Sequence, residues 1–530
     1  MSQKLTLFLS LILALLLPLA ILEAQAPPQA GATIATTITV NTTADVASDG
    51  FSKTCANSPA DECTLRRAIN QAHNVDAAQR PVYIEFDIPT TDAGYDAALQ
   101  VWKIEVAGIS SQDLRELYGQ TIIDGRTQPG GRADGPKIIV DGLGNHNSGL
   151  ILRQNGNEVY GLAMQRFSTA HISISSDGNR IEECWFGLSD DGMTLSSGDD
   201  LIPEGGSGVS WAAGSDMNVV RNNVFAGFFG VPAAVRGNGN VFAANWIGMR
   251  ADGTVPVPAQ FNKHPCLRGA WTGGSGITVS DNDNQIGGPS AGDGNIFAGL
   301  FLDISATSTQ RPAMDVGGTG HLIQNNIIGR DAHDTLVGVC GRGLDLGNGP
   351  SDMDVLDNAI YEPGLSAILM NESSCNGNTL WGNTIVRDSA WPEEQEFNDF
   401  PEGAIAYGRY VPDELKTFVP AAVTEIDGTT VRGTSGDGSP CPLCTVELFA
   451  DDTDAVTETL ASLAMVTADA NGDWQATLAA PLSPGTGIRT MSTVPDYFTI
   501  VGLDPGTTSN LSVLYGGIYR VFLPMVVRHP

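Results

Sequence analysis

Asn218-Val219-Val220-Arg221-Asn222-Asn223-Val224-Phe225 is followed, twenty-two residues on, by Asn240-Val241-Phe242-Ala243-Ala244-Asn245-Trp246-Ile247. Both read Asn-x-apolar-x-x-Asn-x-apolar. The template returns as Asn179-x-Ile181-x-x-Cys184-x-Phe186, His321-x-Ile323-x-x-Asn326-x-Ile328, Met353-x-Val355-x-x-Asn358-x-Ile360 and Asn378-x-Leu380-x-x-Asn383-x-Ile385. A weaker copy starts at Asn157-x-Val159 and a partial one at Asn284-x-Ile286. The spacing is 22 between 157 and 179 and 44 between 240 and 284, while the wider gaps read as insertions. A period near 22 with short apolar alternation describes a unit that buries its apolar face only against its neighbours. Alternate residues then form inward aliphatic ladders, and Asn, which tolerates left-handed backbone and bonds locally, suits the corners. Cys184, Asn223, Asn245, Asn326, Asn358 and Asn383 are the expected turn or stacking positions.

The predicted fold is all-β: a right-handed parallel β-helix, of the pectate-lyase-like kind, with eight to ten coils over roughly 40–50 Å. Leucine-rich repeats share the period but need a Leu-x-x-Leu-x-Leu-x-x-Asn string that is missing. Propeller repeats are longer, near ~40 residues.

Composition agrees. The chain has 530 residues, 28 Lys and Arg against 60 Asp and Glu, and a net charge of −32. Only 17% of residues are charged while 42% are hydrophobic, a cored chain rather than a disordered one. So few cations exclude nucleic acid as a partner. The 62 glycines follow no Gly-X-Y period, which excludes collagen.

Residues 1–26 read as a signal peptide: Lys4, the apolar run from Leu5 to Leu22, then Ala24-Gln25-Ala26. No later stretch is long enough to span a membrane. A secreted or cell-surface location follows, and with it permission for disulfides. Cys55 and Cys63 are expected to bridge. Cys441-Pro442-Leu443-Cys444 has three readings, a loop disulfide, half a metal site or a redox pair, of which the loop disulfide is favoured. Cys184, Cys266, Cys340 and Cys375 cannot be paired from sequence.

Several strings resemble a known module. Asn41-Thr42-Thr43-Ala44-Asp45, Cys55 and Cys63-Thr64-Leu65-Arg66-Arg67-Ala68-Ile69-Asn70 resemble the CSLREA domain of exported bacterial β-helix proteins, with Thr64 in place of Ser and Arg67 in place of Glu. Thr121-Ile122-Ile123-Asp124-Gly125-Arg126-Thr127-Gln128-Pro129-Gly130 is similar to the strand and turn that follow it there. Phe186-Gly187, Ile247-Gly248 and Ile328-Gly329, each trailed by an Asp-rich turn, resemble the family's repeat signature. The resemblance covers about 38–390 and implies architecture, with no reaction to carry over. In the residues themselves, Leu65, Ile69 and Ala72 share one face of a short helix, suited to capping the solenoid's open end. The expected organisation is a cap and first coils over 27–150, repeats over 151–395 and a linker over 396–420. An immunoglobulin-like β-sandwich follows over 421–516, then a short apolar strand or tag over 517–530. The sandwich rests on short alternating strands such as Thr445-Val446-Glu447-Leu448-Phe449 and on an Asn471-Gly472 hairpin turn. It resembles the bacterial immunoglobulin-like modules appended to secreted β-helices.

The expected role is non-catalytic: adhesion, surface structure or glycan binding, with an extracellular glycan or cell-surface component as partner. The alternative is a polysaccharide lyase or glycoside hydrolase. Asp190-Asp191 and Asp199-Asp200 read as solvated turn acids. The basic residues Arg180, Arg221, Arg236, Arg250 and Arg330 are spread over several coils, which suits a neutral glycan better than a polyanion. Trp185, Trp211, Trp246 and Trp381 are candidates for stacking on sugar rings. His264, His321 and His333 have no metal-ligand spacing. No cofactor is expected. The acid excess leaves calcium open, with no complete loop to assign it to, since Asp469-x-Asn471-x-Asp473 lacks a closing Glu.

Overall fold

A computed structural model describes residues 36–197, 205–228, 230–255, 276–300, 312–388, 403–435, 441–454, 456–495 and 503–516. The signal-peptide segment, Cys266, His264, Asp199-Asp200 and the 517–530 tail lie outside the described residues.

The repeat winds into a right-handed parallel β-helix. One sheet stacks eleven parallel strands, from Thr36–Val40 through Val82–Phe86 and Thr121–Asp124 to Thr379–Trp381. At ~4.8 Å per strand the stack is about 48 Å long. The other faces carry the two-residue strands that begin at Trp185–Phe186 and the strands after Ser207–Trp211. Inward residues line up coil on coil: Val159, Ile181, Val220, Phe242, Ile286, Ile323, Val355 and Leu380 are consecutive partners. All are fully buried, each contributing roughly 1.5–3 kcal/mol of apolar transfer. Phe186 stacks on Phe225 with centroids 4.8 Å apart.

Seven coils turn one corner by the same device, while the coil of Asn295 has Gly294 at φ −60° there instead. Gly161, Glu183, Asn222, Ala244, Asn325, Asp357 and Gly382 have φ between 54° and 67°. The residue after each points inward, and from the second coil of this series it is Cys184, Asn223, Asn245, Asn326, Asn358 or Asn383. The left-handed residue is thus the one before the stacking Asn, a refinement of the sequence expectation. That position costs ~1–2 kcal/mol for a non-glycine, yet Glu, Ala and Asp all occupy it. Hydrogen bonding by the following Asn offsets the cost. Asn223, Asn245, Asn295, Asn326, Asn358 and Asn383 form an unbroken buried ladder. Each Oδ1 accepts from the backbone N–H of the residue one coil below, and from its Nδ2 where that residue is Asn, at 2.9–3.1 Å. Each Nδ2 also donates to a carbonyl of the coil below. A second ladder runs through Asn157, Asn179, Asn218, Asn240 and Asn284 at 2.8–3.1 Å.

At the N-terminal end, helix Leu65–His73 lays Leu65, Ile69 and Ala72 into the solenoid core. Thr64 caps it by accepting from Arg67 N. Arg66, 1% exposed, donates to both oxygens of Asp45. Cys55 and Cys63 are joined in a disulfide beside it, and so are Cys441 and Cys444 further on.

The C-terminal region is a β-sandwich of two three-stranded antiparallel sheets, both contributing to one small core that includes Val431, Leu448, Trp474 and Ile488. The coil runs on into the segment expected as linker. Ile405–Tyr407 pairs in parallel with Ile368–Met370, and Asp413–Lys416 forms a helical turn. Asp469 Oδ1 accepts from Asn471 N and Asp473 N, which makes that string a hairpin turn. The sandwich sits on the last coil. Ile385 and Thr459 exchange backbone bonds, Thr508 N donates to Asn378 O, and Glu447 accepts from Gly382 N. The final strand edge is thereby covered.

Candidate functional site

The strand pairings set an outward ladder beside the inward one: Trp185, Val224, Trp246, Ile296 and Ile327 are consecutive partners. Trp185 and Trp246 are two coils apart, ~9.6 Å along the axis. Beside this floor three turns rise from the Gly187, Gly248 and Gly329 positions. They stack through Ala251 N to Gly192 O at 3.0 Å and Ala332 N to Gly253 O at 3.1 Å. These are the Asp-rich turns of the sequence signature, and together they form a continuous wall. The opposite rim carries the corner residues Asn222, Ala244 and Asn325.

Two clefts open along this groove and share Trp185 and Asn222. One, about 430 Å³, is lined by Trp185, Trp246, Asn222, Asn325, Ile296 and Asp134, among others. The other, about 640 Å³, adds Arg126, Arg132, Lys137 and Glu183. The larger cleft gathers three of the chain's few cations. Of the three, Arg126 is paired with acids, while Lys137 and Arg132 contact carbonyls and a ring, and Arg132 Nη2 is buried without a hydrogen-bond partner. Arg126 pairs with Asp124 at 2.8 Å and Glu183 at 3.4 Å, and the Asp124 contact, outweighing burial, raises its pKa. Lys137 Nζ donates to Gln128 O. Arg132 lies 4.3 Å over the Trp185 ring and donates to the carbonyls of Pro136 and Asp190. Burial pushes its pKa down. The site offers an aromatic face and amides beside two cations that no described acid neutralises.

The four tryptophans separate. Trp185 is held between two loops: a Cβ at Gly135 would lie 2.1 Å from its ring, and one at Gly192 2.6 Å. It is 7% exposed and acts as floor. Trp246 is more open. Trp211 is core, and Trp381 donates to Thr493 Oγ1 in the sandwich joint. Neither of these two reaches the groove.

Beyond the wall is one cluster of charged groups. Lys103 Nζ lies 2.8 Å from Asp190 and 3.4 Å from the fully buried Asp141. Arg166 also pairs with Asp141, and Gln165 Nε2 donates to Asp190. Asp190 is therefore engaged in a network, which corrects its reading as a solvated turn acid. Asp191 keeps the turn role, accepting from Ser189 Oγ and Met193 N. Arg180, Arg221 and Arg330 each hold a nearby acid. His321 is a ladder rung, and His333 contacts Asp252 O.

Cys184, Asn223, Asn245, Asn326, Asn358 and Asn383 all fall on one ladder. Asn295 is the rung missing from that set. Its offset of 50 from Asn245 takes it off the period, although Asn284-Gln285-Ile286-Gly287-Gly288 through Gly294-Asn295-Ile296-Phe297 resembles a variant of the repeat signature. Cys184 and Cys375 are buried free thiols, and burial pushes Cys184 up to about 12 and Cys375 to about 11.

Fold and groove define a capped parallel β-helix with a C-terminal sandwich. No protein-family model matches the sequence, and no curated protein matches it. Among solved structures it is similar to ORF18 of Geobacillus virus E2, at 12% identity over 80% of this chain and 70% of that one, TM-score 0.35. It is similar to the A-module of the Azotobacter vinelandii mannuronan C-5 epimerase AlgE4, at 11% identity over 61% and 90%, TM-score 0.33. It is similar also to the tailspike protein of E. coli bacteriophage HK620 in complex with pentasaccharide, at 13% over 78% and 73%, TM-score 0.23. Likeness at these levels transfers no activity. Among the described residues no helix is long and apolar enough to cross a membrane.

Proposed function

We propose that this is a secreted or cell-surface β-helix that binds an extracellular glycan without catalysis, in an adhesive or surface-structural role. The carrying observation is the groove in which Trp185 and Trp246 share one outward ladder beside Asn222 and Asn325. The open Trp246 ring can pack on the apolar face of a sugar, with buried Trp185 as the floor beneath, while amides serve the hydroxyls. With 28 bases against 60 acids in the whole chain, a neutral glycan fits better than a polyanion. The N-terminal module resembles the CSLREA domain and serves as an end cap. The sandwich resembles an immunoglobulin-like module and covers the other end. The leader-like residues 1–26 and the two disulfides support export.

One observation favours a second reading, a polysaccharide lyase or glycoside hydrolase: Lys103 between Asp141 and Asp190 is a pair of acids beside a base. A glycan array, run with reducing-sugar and unsaturated-product assays, tests both. Binding without product release is expected, and Trp246→Ala should weaken it about tenfold. Product release abolished by Lys103→Met would establish the enzyme instead. Silence in array and assays alike would leave a structural rod.

A further inference from the structure

The sandwich meets the last coil at a group of acids. A carboxylate oxygen from each of Asp451, Asp452 and Glu458 lies within 4.8 Å of the others. Two ligands on opposite sides of calcium span ~4.6–5.2 Å. Asp451 and Glu458 are 0% and 3% exposed. One oxygen of each acid is held from outside the group or along its own turn: Asp451 Oδ2 by Arg489, Asp452 Oδ1 by Asp454 N, Glu458 Oε1 by Arg387 N. Asp451 Oδ1 is buried and has no hydrogen-bond partner. A buried carboxylate oxygen without a donor is costly, and a cation is the usual remedy. Among the described contacts, Arg489 pairs with Asp451.

We propose that Asp451, Asp452 and Glu458 bind a calcium ion that fastens the sandwich to the end of the solenoid. All the donors are carboxylate oxygens, which select a hard cation, and the irregular turn suits calcium's flexible coordination better than magnesium's octahedron. Backbone carbonyls and water would complete six to eight ligands. Location gives the ion its purpose. Glu458 accepts from Arg387 N of the last coil, and the next residue, Thr459, pairs with Ile385 through both backbone bonds at 3.0 and 3.1 Å.

The test uses the full chain, stripped with EGTA and titrated with calcium, by calorimetry and by hydrogen exchange of peptides covering 382–388 and 456–460. Binding is expected at ~10⁻⁴–10⁻³ M, as in extracellular modules, with slower exchange at the Ile385 and Arg387 amides. Asp452→Asn, at a half-buried position, should weaken calcium at least ~10-fold while the EGTA-stripped protein melts as the parent does. Glu458→Gln should also lose the calcium-dependent protection. No binding at ~10 mM calcium, binding unchanged in both variants, or equal protection by magnesium would overturn the assignment.

Discussion

The two asparagine ladders start from the same sequence rule and end differently. The one through Asn223 and Asn383 runs unbroken. The other passes through Asn157, Asn179, Asn218, Asn240 and Asn284, then meets His321 and Met353 before Asn378. His321 still serves: Nδ1 accepts from Asn284 N at 3.0 Å, and Nε2 donates to Gly317 O at 2.8 Å. Met353 offers no acceptor. The break coincides with irregular pairing of Met314–Thr319 with Leu344–Ser351, whose register shifts at Val316, Gly317 and Thr319. An amide ladder needs an even rise from coil to coil. Where one face bulges, an adaptable ring or thioether replaces the amide, and local bonds such as Gly320 N to Ser351 O fill in. Since Asn326 and Asn358 share coils with His321 and Met353, a continuous ladder marks a regular corner, and an interrupted one marks the corner where the solenoid absorbs irregularity.

Two truncations give this contrast a number. Asn245→Ala removes the acceptor used by Asn223 N and Nδ2, and the donor to Asn295 Oδ1 and Val220 O. Buried groups stripped of partners on both sides should cost ~2–4 kcal/mol. Asn378→Ala strips only Met353 N and Cys375 O, for about 1–2 kcal/mol. Denaturant melts of the full chain measure both. Equal losses would mean that the ladders are not cooperative and that interruption carries no energetic meaning.

The His321 rung makes the interrupted ladder sensitive to acid. Its Nδ1 must stay unprotonated to accept from Asn284 N, and burial holds its pKa below the ordinary 6.5. Unfolded, the ring protonates near 6.5; folded, it resists until lower pH. The unfolded state therefore binds more protons in that window. Stability should fall as pH drops through about 6.5 and level off below the folded pKa. Glu458, raised to about 7, acts in the opposite sense over part of the same range, so the informative quantity is the difference between parent and His321→Asn. The variant should lose less stability than the parent between pH 7 and 5.5, since an amide rung does not titrate there (~1 kcal/mol or less). Parallel pH curves for the two proteins would remove His321 as the cause.

How much of this could be read in the sequence follows from what kind of contact each feature is. The inward ladder was legible because Ile181, Val220 and Phe242 sit at fixed offsets from Asn179, Asn218 and Asn240, and the pattern is local. The corner residue was not, since Glu183, Ala244 and Asp357 share a φ but no chemistry. The string around Asn295 was visible as a variant of the repeat signature, but an insertion took Asn295 off the period and left its place as a rung unassigned. Trp185 and Trp246 were visible as candidates, but only strand register puts them on one floor and sends Trp211 inward. Lys103, Asp141 and Asp190 lie tens of residues apart and meet only because the coils stack. The joint at Glu458 and Arg387 is hidden for the same reason: each half is unremarkable in its own domain.

The unbroken ladder begins at Cys184, and that rung explains the smallest effect expected. Beneath it in register is Leu162, apolar and buried; above it is Asn223, whose Oδ1 accepts from Cys184 N. The thiol reaches Glu182 O at 3.3 Å and Val159 O at 4.0 Å, and Val159 O is the counterpart of the carbonyl that each Asn Nδ2 meets higher up. A small, weakly donating, largely apolar group suits the step from an aliphatic rung to amide rungs. Cys184→Asn would gain a donor to Asn223 Oδ1 and a full bond to Val159 O. It would also place a carbonyl oxygen against Leu162. Those terms oppose each other, so the melt should shift by less than ~1 kcal/mol. Held near 12 by burial, the parent thiol should also stay unlabelled by a thiol reagent at pH 8, read by peptide mapping, until the protein is denatured. A loss beyond ~2 kcal/mol in Cys184→Asn would show that the ladder cannot be extended by one rung, and that its length is set at this end by the apolar layer beneath.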